Sequence, residues 1–126
     1  MPQSSELFFA SSNNHKFEEV KRILSNQGLT INFSKITLEE IQSDSLNEIA
    51  KRKAIDAFSR IQKPLIIEDD GLFIDSLNGF PGPYSSYVYD TIGNEGLMRL
   101  LEKIESRSAK FVAIIATSNT TIIFLL

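Results

Sequence analysis

The sequence predicts an α/β fold bordering on α+β, a mixed β-sheet flanked by helices, within a single domain spanning all 126 residues. Three observations carry this. The short apolar runs Leu7–Ala10, Leu65–Ile67 and Phe111–Ala116 have strand length and no helical spacing. Two stretches, His15–Ser25 and Leu46–Ile61, instead repeat their apolar residues every three or four positions. Finally, the apolar runs 111–116 and 120–126 are separated only by Thr117, Ser118 and Asn119, which reads as a hairpin.

Taken in order, Leu7-Phe-Phe-Ala10 is a buried strand. It empties into Ser11-Ser-Asn-Asn14, small polar residues suited to a tight turn and a helix N-cap. Phe17, Val20 and Leu24 form the stripe of a first helix, stopped by Asn26-Gln-Gly28. Lys16 falls in its first turn, where a cation opposes the helix dipole; it is either solvated or held there to meet an anion. A second strand is expected over 29–36, with Ile31 and Phe33 on one face. A polar connector carrying Glu39 and Glu40 follows, and Ser45 with Glu48 forms a capping box for the second helix. Its stripe is Leu46, Ile49, Ala50, Ala54, Ala57, Phe58 and Ile61, and Lys53 falls inside it, so its ammonium must snorkel outward or meet an anion in a cleft. Leu97, Leu100, Leu101 and Ile104 mark a third helix after a turn-rich connector at 90–94.

The stretch most directed at chemistry follows Leu65-Ile66-Ile67, where a buried strand runs into Glu68, Asp69 and Asp70. Like charges about 4 Å apart repel by roughly 4 kcal/mol at an effective dielectric near 20. Such a cluster holds protons, stays in water or binds a cation. Gly71 reads as a break after the cluster, and Gly79-Phe-Pro-Gly-Pro83 as a restricted loop that lets backbone approach a ligand. Two groups of side chains therefore emerge. Ser11, Asn13, Lys16 and Lys53 suit an anion; Glu40, Glu68, Asp69 and Asp70 suit a cation. A polyphosphate bridged to protein through Mg²⁺ requires both groups to face one cleft. A carboxylate not spent on metal can serve as general base towards water.

Composition narrows the partners. Net charge is −3, giving no general attraction to nucleic acid or anionic membrane, and neither is expected as a partner. Cysteine is absent, which excludes disulfides and thiolate metal sites and fits a reducing cytoplasm, the expected location. Met1–Glu6 is polar and unlike a secretory leader, and no apolar run has the length of a membrane span. No Gly-x-x-x-x-Gly-Lys loop occurs, and His15 is the single histidine, read as structural or solvated.

Ser11-Ser-Asn-Asn-His-Lys16-Phe-Glu-Glu19 resembles the opening phosphate loop of the inosine triphosphate pyrophosphatase family. Glu68-Asp-Asp-Gly-Leu-x-Ile-Asp75-x-Leu-x-Gly79-x-Pro-Gly-x-Tyr84-Ser85 resembles that family's central signature, with Glu40-Ile-Gln42 and Lys53-Ala54 in order between the two. The resemblance implies the family's fold, a long mixed sheet between two lobes with nucleotide in the cleft. It also implies Mg²⁺-dependent cleavage of non-standard purine nucleoside triphosphates (ITP, dITP, XTP) to the monophosphate and pyrophosphate. By position, Ser11, Asn13 and Lys16 would hold the triphosphate and Lys53 would reach it from the second helix. Glu40, Glu68 and Asp69 would stand at the metal, and Asp69 would activate water. Tyr84 and Ser85, within the signature, are further candidates, as is Asp70, which stands where many relatives have Ser or Thr and either touches metal or faces water.

The resemblance covers only the first two thirds of the family's usual length. The Gly-Tyr-Asp-Pro and Ser-His-Arg segments with which the family reads its purine do not occur before Leu126. The chain reads as truncated, part of the C-terminal lobe being absent. Its apolar final run is expected to need cover from further sequence or a partner chain, and a homodimer is expected. Two other functions stay open. One is a shortened member with little or no turnover that binds nucleotide phosphates or acts as an interaction module. The other is a Mg²⁺-dependent phosphohydrolase without purine preference.

Overall fold

A computed structural model describes residues 6–119 and 121–125. The polar start at residues 1–5, and Thr120 and Leu126 of the final run, lie outside the described residues; of residues 121–125 only the strand they form is described. The elements are β1 (Leu7–Ser11), α1 (Asn14–Ser25), β2 (Ile31–Lys35), α2 (Leu46–Ile61), β3 (Leu65–Ile74), β4 (Pro81–Gly82), α3 (Ser85–Thr91), α4 (Gly93–Leu100), β5 (Ala109–Ala116) and β6 (Thr121–Leu125). The strands form one mixed sheet in the order β2-β1-β3-β5-β6, with β4 added to β3. β1 runs parallel to β2 and β3, while β3 is antiparallel to β5 and β4, and β5 and β6 make the expected hairpin.

Helices flank both faces of this sheet. On one face, Ala50, Ala54 and Ala57 of α2 let the helix approach Leu65 and Ile67 of β3 and Ile114 of β5. On the other, Phe17 of α1 lies 4.4 Å from the ring of Phe33 and near Phe9, with Ile66 of β3 at the edge of the same cluster. Local signals set the helix starts. Asn13 Oδ1 accepts from Lys16 N (3.0 Å) and opens α1; Ser45 Oγ accepts from Glu48 N (3.2 Å) and opens α2. The amide of Ser45 donates to Ser43 Oγ (3.0 Å), the place a capping box gives to the Glu48 carboxylate.

Several expectations are corrected. Gly71 does not end β3: the strand runs unbroken for ten residues, so the carboxylates stand in its middle rather than at its end. Gly71 is there because β4 crosses beside it; a Cβ at this position would lie 2.5 Å from Gly82 O. A seven-residue helix, α3, fills residues 85–89, to which no element was assigned, and runs into the connector expected at 90–94; it buries only Val88, too little to leave an apolar period. α4 starts at Gly93 and ends at Leu100, earlier than the stripe suggested, with Leu101 and Ile104 packed on its core from the turns beyond. Phe58, assigned to the α2 stripe, is exposed.

Candidate active site

β1 pairs with β3 only through Phe8 opposite Leu65 and Phe9 opposite Ile66. β5 covers the other edge of β3 from Ile67 to Ile74, so β4, paired at Leu72 and Phe73, must lie on the β1 side. Between those two partners β3 has an open edge, and Glu68, Asp69 and Asp70 occupy it. The gap opens at the carboxyl end of β1, the position where parallel strands of α/β sheets receive ligands. There the loop 11–13 turns into α1, shaped by Asn13 N donating to Ser11 Oγ (3.0 Å) and by the Asn13 cap.

Strand alternation divides the three carboxylates between the two faces of the sheet. Asp69 follows Leu65 and Ile67 onto the α2 face. There Lys53, four residues before Ala57 on the buried stripe of α2, brings Nζ to 3.4 Å from Asp69 Oδ2 and 3.4 Å from Glu40 Oε1. Glu68 and Asp70 follow Ile66 onto the α1 face. Lys16, next to the core residue Phe17, places Nζ 2.9 Å from Glu68 and 3.6 Å from Asp70. The two helices therefore deliver one lysine each, from opposite sides, to one acidic strand. All these groups, with Ser11 and Asn13, line a single cleft of about 280 Å³. The shared hollow that the two groups of side chains required is present.

Not every expected residue reaches it. Ser85 Oγ accepts from Leu72 N (2.8 Å) and donates to Gly82 O (2.6 Å), stapling β4 to β3 beneath the cleft. Tyr84 is exposed and lines a separate hollow with Phe73, Asn78 and Phe80. Ser12, Thr37 and Ser86 line the cleft and were not singled out from sequence; Pro83 also lines it, at the end of the restricted loop read as letting backbone approach a ligand. Ser12 lay inside a loop already read as anion-seeking, whereas Ser86 depends on α3, which leaves no sequence period. Ser85→Ala is expected to destabilise the fold by about 1–3 kcal/mol, the cost of leaving a half-buried N–H unpaired. Urea unfolding measures it, and wild-type stability would contradict the staple.

Burial sets the electrostatics. It pushes Glu68 up from 4.5 to about 7, with the charge of Asp70 adding and Lys16 opposing. Burial likewise raises Asp69, against the pull of Lys53 and Lys16. For Lys16, burial is the largest influence and lowers it, but Glu68, Asp70 and Asp69 together outweigh it and leave the ammonium raised. A carboxyl raised on folding binds its proton more tightly in the native state. Its contribution is complete below its unfolded value and is lost as pH rises through the folded one. The metal-free protein is therefore expected to lose stability between pH 4.5 and about 7. Glu68→Gln is expected to flatten that slope. Urea titrations across this range check it; an unchanged slope would refute it.

Among the described residues, no group of three carboxylate or imidazole side chains is gathered to hold a metal ion. Glu40, Glu68 and Asp69 are instead each turned to a lysine. Their chemistry nevertheless suits a hard divalent cation, since all are carboxylates. Asp69 Oδ2 is buried without a hydrogen bond, in ion contact only with Lys53 out of bonding geometry. An oxygen left in that state is the observation that fits a cation.

Fold and cleft together define an α/β protein whose central strand carries three carboxylates along an open edge, met by one lysine from each of two helices in a single cleft. The chain belongs to the Ham1 family, whose profile matches residues 7–125. It is 47% identical over 110 residues to the dITP/XTP pyrophosphatase of Methanopyrus kandleri, covering 87% of this chain and 58% of that one. It is 43% identical over 114 residues to the dITP/XTP pyrophosphatase of Hyperthermus butylicus, covering 90% and 60%. The chain thus spans less than two thirds of the length of these relatives. Among solved structures, a HAM1 protein from Coxiella burnetii superposes with a TM-score of 0.75 at 27% identity, covering 97% of this chain and 70% of that one.

Proposed function

We propose that the cleft binds the triphosphate of a non-standard purine nucleoside triphosphate, such as dITP, ITP or XTP, and hydrolyses it to the monophosphate and pyrophosphate. The observation that carries this is the buried, unbonded Asp69 Oδ2 in a cleft where one lysine from each of two helices meets the acidic strand. The names of the dITP/XTP pyrophosphatases that the chain resembles supply the substrate class.

In this reading Lys16 and the backbone N–H groups at the start of α1 hold phosphate oxygens, with Ser11 and Asn13 shaping the loop that presents them. Water attacks the α-phosphorus as its proton passes to Asp69. The bond to the oxygen bridging the α- and β-phosphates breaks, and its electron pair leaves with pyrophosphate. Lys53 offsets the charge growing on that leaving group. Burial raises the basicity of Asp69, against the opposing pull of Lys53 and Lys16. Glu40 and Glu68, with Asp69 alongside, would hold Mg²⁺, which when bound would screen the polyphosphate and polarise its oxygens.

Incubation with dITP, XTP, ATP and CTP, with and without Mg²⁺, tests the assignment. Pyrophosphate and monophosphate are expected from dITP and XTP only with the metal; orthophosphate release, or none from any substrate, would overturn it. Tight triphosphate binding without turnover would favour a nucleotide-phosphate binding role instead. No helix of the described residues is long and apolar enough to cross a membrane. The same reading has the chain working in the cytoplasm as a homodimer, without a nucleic-acid partner. Exposed Phe80, Tyr84, Tyr87, Tyr89 and Ile92 support association, and sedimentation at several concentrations would measure it.

A further inference from the structure

Three side chains along one side of α2, Lys53, Asp56 and Arg60, all reach the connector between β2 and α2. Lys53 meets Glu40 at 3.4 Å. Asp56 Oδ2 accepts from the amide of Glu39 at 3.1 Å, and Asp56 Oδ1 lies 3.6 Å from Arg60 Nε. The Arg60 guanidinium in turn donates to the carbonyl of Thr37. The connector, residues 36–45, contains no helix or strand, and beyond Ile36, whose amide donates to Ser11 O (3.0 Å), no backbone ladder decides its path. Ile36 and Leu38 rest on the core below α2, and Asp56 and Arg60 grip the backbone on either side of Leu38. Glu40 is the next residue after the last gripped amide, and its side chain is 60% exposed.

Exposed ion pairs add little to stability by themselves. These contacts join residues 17 and 23 positions apart, so what they determine is the placement of one segment against another. We propose that Asp56 and Arg60 are positioning residues that hold Glu40 at the rim of the cleft and thereby set its response to a divalent cation. This rests on the functional reading above for the role of Glu40. A connector released from α2 presents the Glu40 carboxylate only part of the time, and apparent affinity falls by that fraction.

The test uses the full chain with Asp56→Ala, Arg60→Ala and the milder Asp56→Asn, which keeps an acceptor for the Glu39 amide. Asp56→Ala is also made on a Glu40→Gln background. Two quantities are read: amide hydrogen exchange across 37–41, and calorimetric binding of inorganic tripolyphosphate with and without Mg²⁺. Both alanine variants are expected to speed exchange in the connector and to weaken Mg²⁺-dependent binding about tenfold. Metal-free binding, which depends on Lys16 and the start of α1, should stay unchanged. Asp56→Asn, which still accepts from the Glu39 amide, should retain part of what Asp56→Ala loses. On the Glu40→Gln background, Asp56→Ala should cost nothing further. Unchanged exchange overturns the clamp outright. A loosened connector with undiminished Mg²⁺-dependent binding, or additive effects of Asp56→Ala and Glu40→Gln, overturns its role at the cleft. Absence of Mg²⁺-dependent binding in the wild type is a separate result: it defeats the functional reading, while exchange still decides the clamp.

Discussion

Asp69→Asn is expected to lower the rate of pyrophosphate release from dITP by about 10²–10⁴-fold, the range a positioned general base supplies. The local fold should survive, because Asp69 Oδ1 accepts from the Asp70 amide at 3.0 Å and an asparagine oxygen accepts equally well. Removing a carboxyl that burial already disfavours should not weaken the protein much either. Loss of turnover without loss of stability is therefore the signature that separates a chemical role from a structural one. Steady-state rates, tripolyphosphate affinity and urea midpoints on one preparation give all three quantities. Full activity in the variant would end the assignment of Asp69. A fall confined to substrate affinity would move it from base to binding group.

Gly71→Ala is expected to have the largest effect on stability. A Cβ there would lie 2.5 Å from Gly82 O, 3.0 Å from Gly82 C and 3.1 Å from the Phe73 ring. Two of these atoms are backbone of the strand paired antiparallel to β3, so neither moves without breaking the pair. Overpacking of this kind costs roughly 1–3 kcal/mol or more, a large share of the stability of a domain of this size. Displacing β4 also displaces Pro83 and Ser86, which line the cleft, so binding of Mg²⁺ and tripolyphosphate should weaken with it. Gly93→Ala is the control: its φ is +65° but nothing lies within 4 Å of the added atom. The expected loss there is about 1 kcal/mol from backbone strain alone. Equal losses at the two positions would contradict the close approach of β4.

The bounds of α2 follow from residues adjacent in the chain. Ser45 supplies the cap, the alanine stripe supplies the buried face, and Gln62 closes the helix in the left-handed conformation. The same spacing placed Lys53 on the inner face, where the structure has it. β3 shows the opposite case. A glycine after three acidic residues looks like the end of a strand, yet pairing to β5 along one edge and to β4 along the other carries the strand through it. Ser85 likewise was a site candidate because it lies within the signature that resembles the family's; only the crossing of β4 turns its hydroxyl inward to Leu72 and Gly82.

By itself the sequence determined the helices with strong caps, the mixed sheet, the hairpin, and which residues carry the charge of the cleft. Tertiary structure decided which lysine meets which carboxylate, that β3 exposes its acids along an open edge, and that Asp56 and Arg60 grip the connector bearing Glu40. Caps and helical periods are written within a few neighbouring residues and can be read there. Which face of a strand a charge takes, and what it then meets, depends on pairing register and helix docking between segments far apart in the chain.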